Sequence, residues 1–215
     1  FQTLKVGMSD DQAPMNKKSK DGGIIGLVVD LAQALAAAMQ VKHENKTMTF
    51  GDQKGALEKD EIDLEISGMS ITPDRTALLS FVGPYMMSGK SILTRDDVLA
   101  KVTSTQEFNR ADLKLVALSN STSASFVSKA APEATLIEVA NYDDGVKKLL
   151  YSEADAMIAD IPACILAVLR NPGAGFATLD RELTVDPIGI AISKDEAQFQ
   201  NLVQNYLRSY EKSGI

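Results

Sequence analysis

Two short segments hold the residues whose types and spacing could do chemistry. Ser67-Gly68-Met69-Ser70-Ile71-Thr72-Pro73-Asp74-Arg75 reads as a buried strand running into the N-terminus of a helix, and it brings a guanidinium there. Asp155-Ala156-Met157-Ile158-Ala159-Asp160-Ile161-Pro162 reads the same way and brings a carboxylate. A guanidinium is the natural counterpart of a carboxylate, and a carboxylate of an ammonium. An α-amino acid carries both counter-groups on one carbon.

The elements around each group sharpen the reading. Ile62, Leu64 and Ile66 alternate like a strand. Thr72 suits a helix N-cap and Pro73 the first helical position. Arg75 then falls in the first turn, where the helix dipole disfavours a cation by about 0.3–1 kcal/mol. Asp74 offsets part of that, and a bound anion would offset more. The plainer alternative is a surface Arg paired with Asp74. Asp160 also has a plainer alternative, an ordinary N-cap before Ile161-Pro162. The strand before it, Ala156 to Ala159, is wholly apolar, as in a sheet covered on both faces. Ligands of such sheets sit just beyond the carboxyl ends of strands, and Asp160 lies at that edge.

A chain of 215 residues can form one large domain or two small ones. Hydrophobic residues make up 45% and charged residues 24%, which is the balance of a globular protein. The net charge of −7 argues against a nucleic-acid or anionic-membrane partner. The basic cluster Lys17-Lys18-Ser19-Lys20 is short and reads as a solvated turn. A single cysteine, Cys164, rules out an internal disulfide and Cys-cluster metal sites. The single histidine, His43, lies in a polar stretch with nothing resembling a nucleophile elbow near it. No apolar run approaches the ~20 residues needed to cross a membrane. No signal-peptide pattern occurs in the sequence, and the start at Phe1 reads as a mature end or a trimmed boundary.

Strands and helices alternate along the chain. Leu4–Met8 reads as a strand, and a long helix follows Gly26 with Leu27, Leu31, Leu35 and Met39 on one face. Strands are predicted near Lys46–Phe50, Asp63–Ser67 and Ser88–Thr94. A second series runs strand Leu113–Leu118, helix from Thr122, strand Thr135–Val139, helix Tyr142–Tyr151, strand Asp155–Ala159 and helix Ile161–Leu169. Strand Pro187–Ser193 and helix Glu196–Lys212 close it. This is an α/β pattern, most economically two doubly wound sheets.

Four blocks together form a family pattern over essentially the whole chain. They are Gly26-Leu27-Val28-Val29-Asp30-Leu31-Ala32, Ser67–Arg75 followed by Phe81-Val82-Gly83-Pro84-Tyr85, Val116–Ser123, and Asp155–Pro162. In order and spacing the chain resembles the family 3 extracellular solute-binding proteins, the amino-acid receptors of ABC importers. The resemblance implies an α/β, two-lobed periplasmic-binding-protein type 2 fold (a Venus flytrap). Each lobe would be a mixed sheet flanked by helices, with two hinge crossings. Lobe 1 maps to 1–92 and 186–215, and lobe 2 to 93–185. The ligand would lie in a cleft that closes on it.

The resemblance also implies roles. Arg75 would bind the ligand carboxylate. Gly68 and Ser70 would serve the α-amino and carboxylate groups, and Thr122 and Ser123 would reach the carboxylate from a helix N-terminus. Asp160 would hold the ammonium, Asp10 would read the side chain, and Phe50 would pack on it. The family's ring near Ala13-Pro14-Met15 is missing, and Ser121 replaces a usual glycine. Asp10 and Asp11 disfavour an acidic ligand, so the expected cargo is a small or polar, neutral or cationic α-amino acid. No cofactor or metal is implied. The expected partner is an ABC permease, the expected state a monomer, and no nucleic acid is involved. The expected location is periplasmic or extracellular, with a lipid anchor or membrane tether as options. The stop at Ser213-Gly214-Ile215, short of where relatives usually end, suggests trimming or a domain boundary. A sensor domain of a kinase or chemoreceptor is the alternative. A cyclohexadienyl dehydratase-like enzyme is a further one, and it would need a general acid.

Overall fold

Gly26 illustrates how local constraint starts an element. Its φ is +140°, and a Cβ there would lie 2.3 Å from the Met15 carbonyl oxygen, so only glycine fits. The computed structural model describes residues 2–10, 12 and 15–213. The chain forms two units, Phe1–Met87 with Asp186–Ile215, and Ser88–Val185. The expected first boundary at 92/93 would cut through a strand, Lys90–Thr94, that pairs wholly within the second unit.

In the first unit the elements are β1 (Thr3–Met8), β2 (Lys17–Lys18), β3 (Ile24–Ile25), α1 (Leu27–Ala38), β4 (Lys42–Thr47) and α2 (Phe50–Glu58). There follow β5 (Leu64–Glu65), α3 (Pro73–Thr76) and β6 (Leu79–Ser88). The second unit holds β7 (Lys90–Thr94), β8 (Lys114–Leu118), α4 (Thr122–Ala130), β9 (Thr135–Val139), α5 (Tyr142–Leu150), β10 (Ala156–Asp160), α6 (Ile161–Arg170) and β11 (Ala177–Thr178). The chain then returns to the first unit with β12 (Asp186–Ser193) and α7 (Ala197–Ser213).

The first sheet has the order β4-β1-β5-β12-β6, with β4, β1 and β5 parallel and β12 antiparallel to β5. Leu4, Val6, Met8, Leu64 and Ile66 share one face and pack with Val28, Val29, Ala32, Leu35 and Ala36 of α1 and Phe199, Val203 and Leu207 of α7. The second sheet has the order β11-β7-β10-β8-β9, with β10, β8 and β9 parallel and β7 antiparallel to both β10 and β11. The sheets are therefore mixed, as the resemblance implies, and not purely doubly wound.

The second sheet explains the apolar strands. Ile92, Leu115, Ala156 and Ile158 face one core with Val127 of α4. Their neighbours Leu93, Val116, Met157 and Ala159 face another with Leu149 of α5 and Cys164 and Ala167 of α6. Both faces are buried, so alternation disappears from the sequence.

Three sequence expectations need correction. Phe50 opens α2 and does not end a strand, because Thr49 takes the N-cap position. The buried face of α1 runs through Val28, Ala32 and Leu35, which pack on Leu4, Val6 and Met8, and this choice of face leaves Leu27 57% exposed. β6 was not expected, because Gly83 and Pro84 interrupt its pattern. Met157, Ile158 and Ala159 are buried as anticipated.

Candidate functional site

Sheet topology gathers the expected residues at strand ends. In the first unit Asp10 follows β1, Phe50 follows β4, and Gly68 and Ser70 follow β5. These three strands are parallel neighbours, so their carboxyl ends share one edge. Asp10 is half-buried, and its carbonyl accepts from the Lys18 amide at 2.8 Å. Gly68 has φ +83°, and its amide donates to the Tyr85 hydroxyl at 3.2 Å. Ser70 is buried and bridges to Ile188.

Arg75 is held from several sides. Thr72 caps α3, its hydroxyl accepting from the Arg75 amide at 3.3 Å, with Pro73 in the first turn. The guanidinium donates through Nη1 to the Ser70 carbonyl at 2.9 Å and lies 5.7 Å from the centroid of the Phe50 ring. A cation over such a ring gains about 0.5–1 kcal/mol. The dipole argument carries little weight here, because α3 is only 4 residues long and Arg75 belongs to its last turn as well as its first. The Ser70 carbonyl and the Phe50 ring both help to orient this side chain.

Beneath it lies a buried polar cluster. Leu64 faces the apolar core, so its neighbour Glu65 faces the other side of the sheet, toward α2. Glu65 accepts a short hydrogen bond from the Ser67 hydroxyl. Gln53 of α2, oriented to donate to Glu65 Oε1 at 2.9 Å, accepts from the Ser9 amide at 3.1 Å. Burial pushes the Glu65 carboxyl up to about 7, against the pull of the Ser67 hydrogen bond and the Arg75 charge.

In the second unit the edge is built the same way. Thr122 and Ser123 open α4 after β8, and Asp160 ends β10, the parallel neighbour of β8. Ser121 is the α4 cap, its hydroxyl accepting from the Ala124 amide at 3.1 Å and donating to the Leu118 carbonyl at 2.5 Å. Thr122 is half-buried and Ser123 buried.

Asp160 has the backbone geometry of an N-cap, yet its side chain caps nothing. Pro162, in the first turn of α6, removes one amide that a cap would use. The carboxylate instead accepts from Lys90 Nζ at 2.6 Å. Lys90 opens β7 directly opposite Asp160 in the antiparallel register, and its side chain is only 2% exposed. Its backbone is fastened too, the amide donating to Thr184 Oγ1 at 2.9 Å and the carbonyl accepting from Leu183 at 2.8 Å. Cys164 lies close by, its thiol pushed up to about 12 by burial and by the Asp160 charge, and so is no nucleophile.

Residues 4–215 match the bacterial extracellular solute-binding proteins, family 3. The chain belongs to this family. It is 28% identical over 192 residues to the glutamine-binding protein of Geobacillus stearothermophilus, covering 88% of this chain and 71% of that one. Among solved structures, an ancestral arginine-binding protein bound to arginine superposes with a TM-score of 0.93 at 28% identity, covering 100% of this chain and 94% of the other. An ancestral amino acid-binding protein described as a precursor of cyclohexadienyl dehydratase gives 0.91 at 31% identity, over 99% and 91%.

For a family 3 solute-binding protein the structure brings together two groups of the expected residues, each within its own unit. Phe50, Gly68, Ser70 and Arg75 cluster in the first, with Asp10 on the same sheet edge. Thr122, Ser123 and Asp160 share the edge of the second. Asp11, Ala13 and Pro14, where the missing ring was noted, lie outside the described residues. Lys90, Gln53 and Tyr85 were missed. A lysine heading the apolar run Ser91-Ile92-Leu93 was a signal for Lys90, but its partner depends on strand pairing. Among the described residues no group of acids, histidines and cysteines could hold a metal, and no helix is long and apolar enough to cross a membrane.

Proposed function

We propose that this chain captures an α-amino acid outside the cytoplasm for an ABC importer. The observation that carries it is the pair of anchored charges of opposite sign, Arg75 at one sheet edge and Asp160 at another. The Arg75 guanidinium takes the α-carboxylate, with Ser70 and the start of α4 at Thr122 and Ser123 adding donors. Asp160 takes the α-ammonium, and Phe50 and Asp10 meet the side chain. Each charged hydrogen bond contributes about 1.5–3 kcal/mol net, so a few suffice for micromolar affinity, about −8 kcal/mol. A ligand held by groups from both units favours the arrangement in which both reach it, which drives closure.

The cargo is a small or polar, neutral or cationic amino acid. Asp10 would repel an acidic side chain. The protein works as a monomer beside a membrane permease, in the periplasm or at the cell surface. It is a binding protein and not an enzyme. Glu65 has the raised proton affinity of a general acid, but it is fully buried under Ser67 and Gln53 and cannot reach a substrate.

A thermal-shift screen across the twenty protein amino acids tests this. Saturation at about 100 times Kd should stabilise the protein by about 2.7 kcal/mol. No shift with any of them would refute amino-acid capture. The largest shift with glutamate or aspartate would refute the side-chain assignment alone.

A further inference from the structure

Glu65 does not itself hold the ligand, yet this carboxyl is fully buried and feels the charge of Arg75 at the candidate anion site. The groups packed around it are polar and neutral: the Ser67 hydroxyl, the Gln53 amide from α2, and the backbones of Gly7 and Ala191 on the flanking strands β1 and β12. Arg75 of α3 is a charged group that acts on it. Gln53 lies one turn from Phe50, the ring beneath the Arg75 guanidinium, and Ser67 adjoins Gly68. The cluster therefore joins the anion site by two routes, one through α2 and one through the segment after β5.

We propose that Glu65 takes up a proton when a carboxylate docks on Arg75, which makes the Gln53–Glu65–Ser67 cluster a proton-linked part of the binding site. This rests on the assignment of Arg75 as the carboxylate anchor. The Arg75 charge favours the ionised form of Glu65, whereas burial favours the neutral form. An anion arriving at the guanidinium offsets the first influence and leaves the second. Glu65 already sits at about 7. A ligand that raises this further binds best where Glu65 is protonated, so affinity weakens as pH rises above about 7, approaching tenfold per pH unit until the liganded value is reached.

The amino acid with the largest shift in the twenty-member screen is titrated calorimetrically at about pH 7 in two buffers of different ionisation enthalpy. The expected result is uptake of part of a proton per molecule bound, absent in Glu65→Gln. Kd of the unaltered protein should rise about three- to fivefold between about pH 7 and about pH 8, and that of Glu65→Gln less than about twofold. Titration of the ligand's own ammonium is common to both proteins and cancels in the comparison. Binding without proton uptake, or equal uptake in Glu65→Gln, overturns this inference and leaves amino-acid capture standing. No binding by any of the twenty overturns both. Should Glu65→Gln fail to fold, infrared difference spectra of the unaltered protein decide: a protonated-carboxyl band must grow on binding, and its absence overturns the inference.

Discussion

The two charged anchors are held by different kinds of contact. In the first unit the Arg75 guanidinium rests on a backbone carbonyl and an aromatic face, contacts that leave its charge unchanged. In the second unit the Asp160 carboxylate rests against the ammonium of Lys90, a contact that offsets its charge. Neither of these Arg75 contacts opposes the attraction of the guanidinium for an anion. The second edge carries a resident cation where an incoming ammonium would compete. Two residues of equal standing in the sequence need not contribute equally to binding.

The largest effect should come from the proposed carboxylate anchor. Arg75→Ala removes at least two charged hydrogen bonds at about 1.5–3 kcal/mol each, so calorimetry should show affinity falling by more than about 100-fold. The fold should survive, because α3 is a single turn and Arg75 is half-buried. A loss below about threefold would refute the assignment of Arg75 as the carboxylate anchor.

Lys90→Met probes the other side. Breaking a buried pair costs about 3–5 kcal/mol, and Asp160, at 23% exposed, puts this one at the lower end, about 3 kcal/mol in urea unfolding. Affinity for the amino acid should rise severalfold, since a like charge has left the ammonium's place. If affinity falls instead, Lys90 orients Asp160 and does not compete with the ligand.

Glu65 adds a stability signature to the first unit. Its carboxyl is raised from an ordinary 4.5 to about 7, so the folded state keeps a proton that the unfolded chain releases. This contribution is whole below about pH 4.5 and is lost as pH rises through about 7, with a ceiling of about 3 kcal/mol. Urea unfolding at about pH 5 and about pH 8 should show the decline, and Glu65→Gln should flatten it.

The smallest effect belongs to the α4 cap. Ser121→Gly, which restores the family's usual residue, should cost only about a few tenths of a kcal/mol, and Ser121→Ala about 1 kcal/mol. A larger loss in either would mean that the bond from Ser121 to the Leu118 carbonyl carries more than capping.

Local chemistry was legible in the chain. Thr72 and Pro73 announce α3, alternation in Leu4, Val6 and Met8 announces β1, and an unbroken apolar run announces β10 as a strand covered on both faces. These depend on neighbours a few residues apart, as does the family pattern that marks Arg75 and Asp160. Most element types, β6 and the start of α2 excepted, and both charged ends follow from residues close together in the chain. Tertiary structure alone decided which partners those ends keep. Lys90 meets Asp160 because two strands 70 residues apart pair antiparallel in one register, and Gln53 meets Glu65 because α2 packs on the face opposite the apolar core. Side-chain direction in a strand flips with every residue, so such contacts follow from register, which no local pattern of residues encodes.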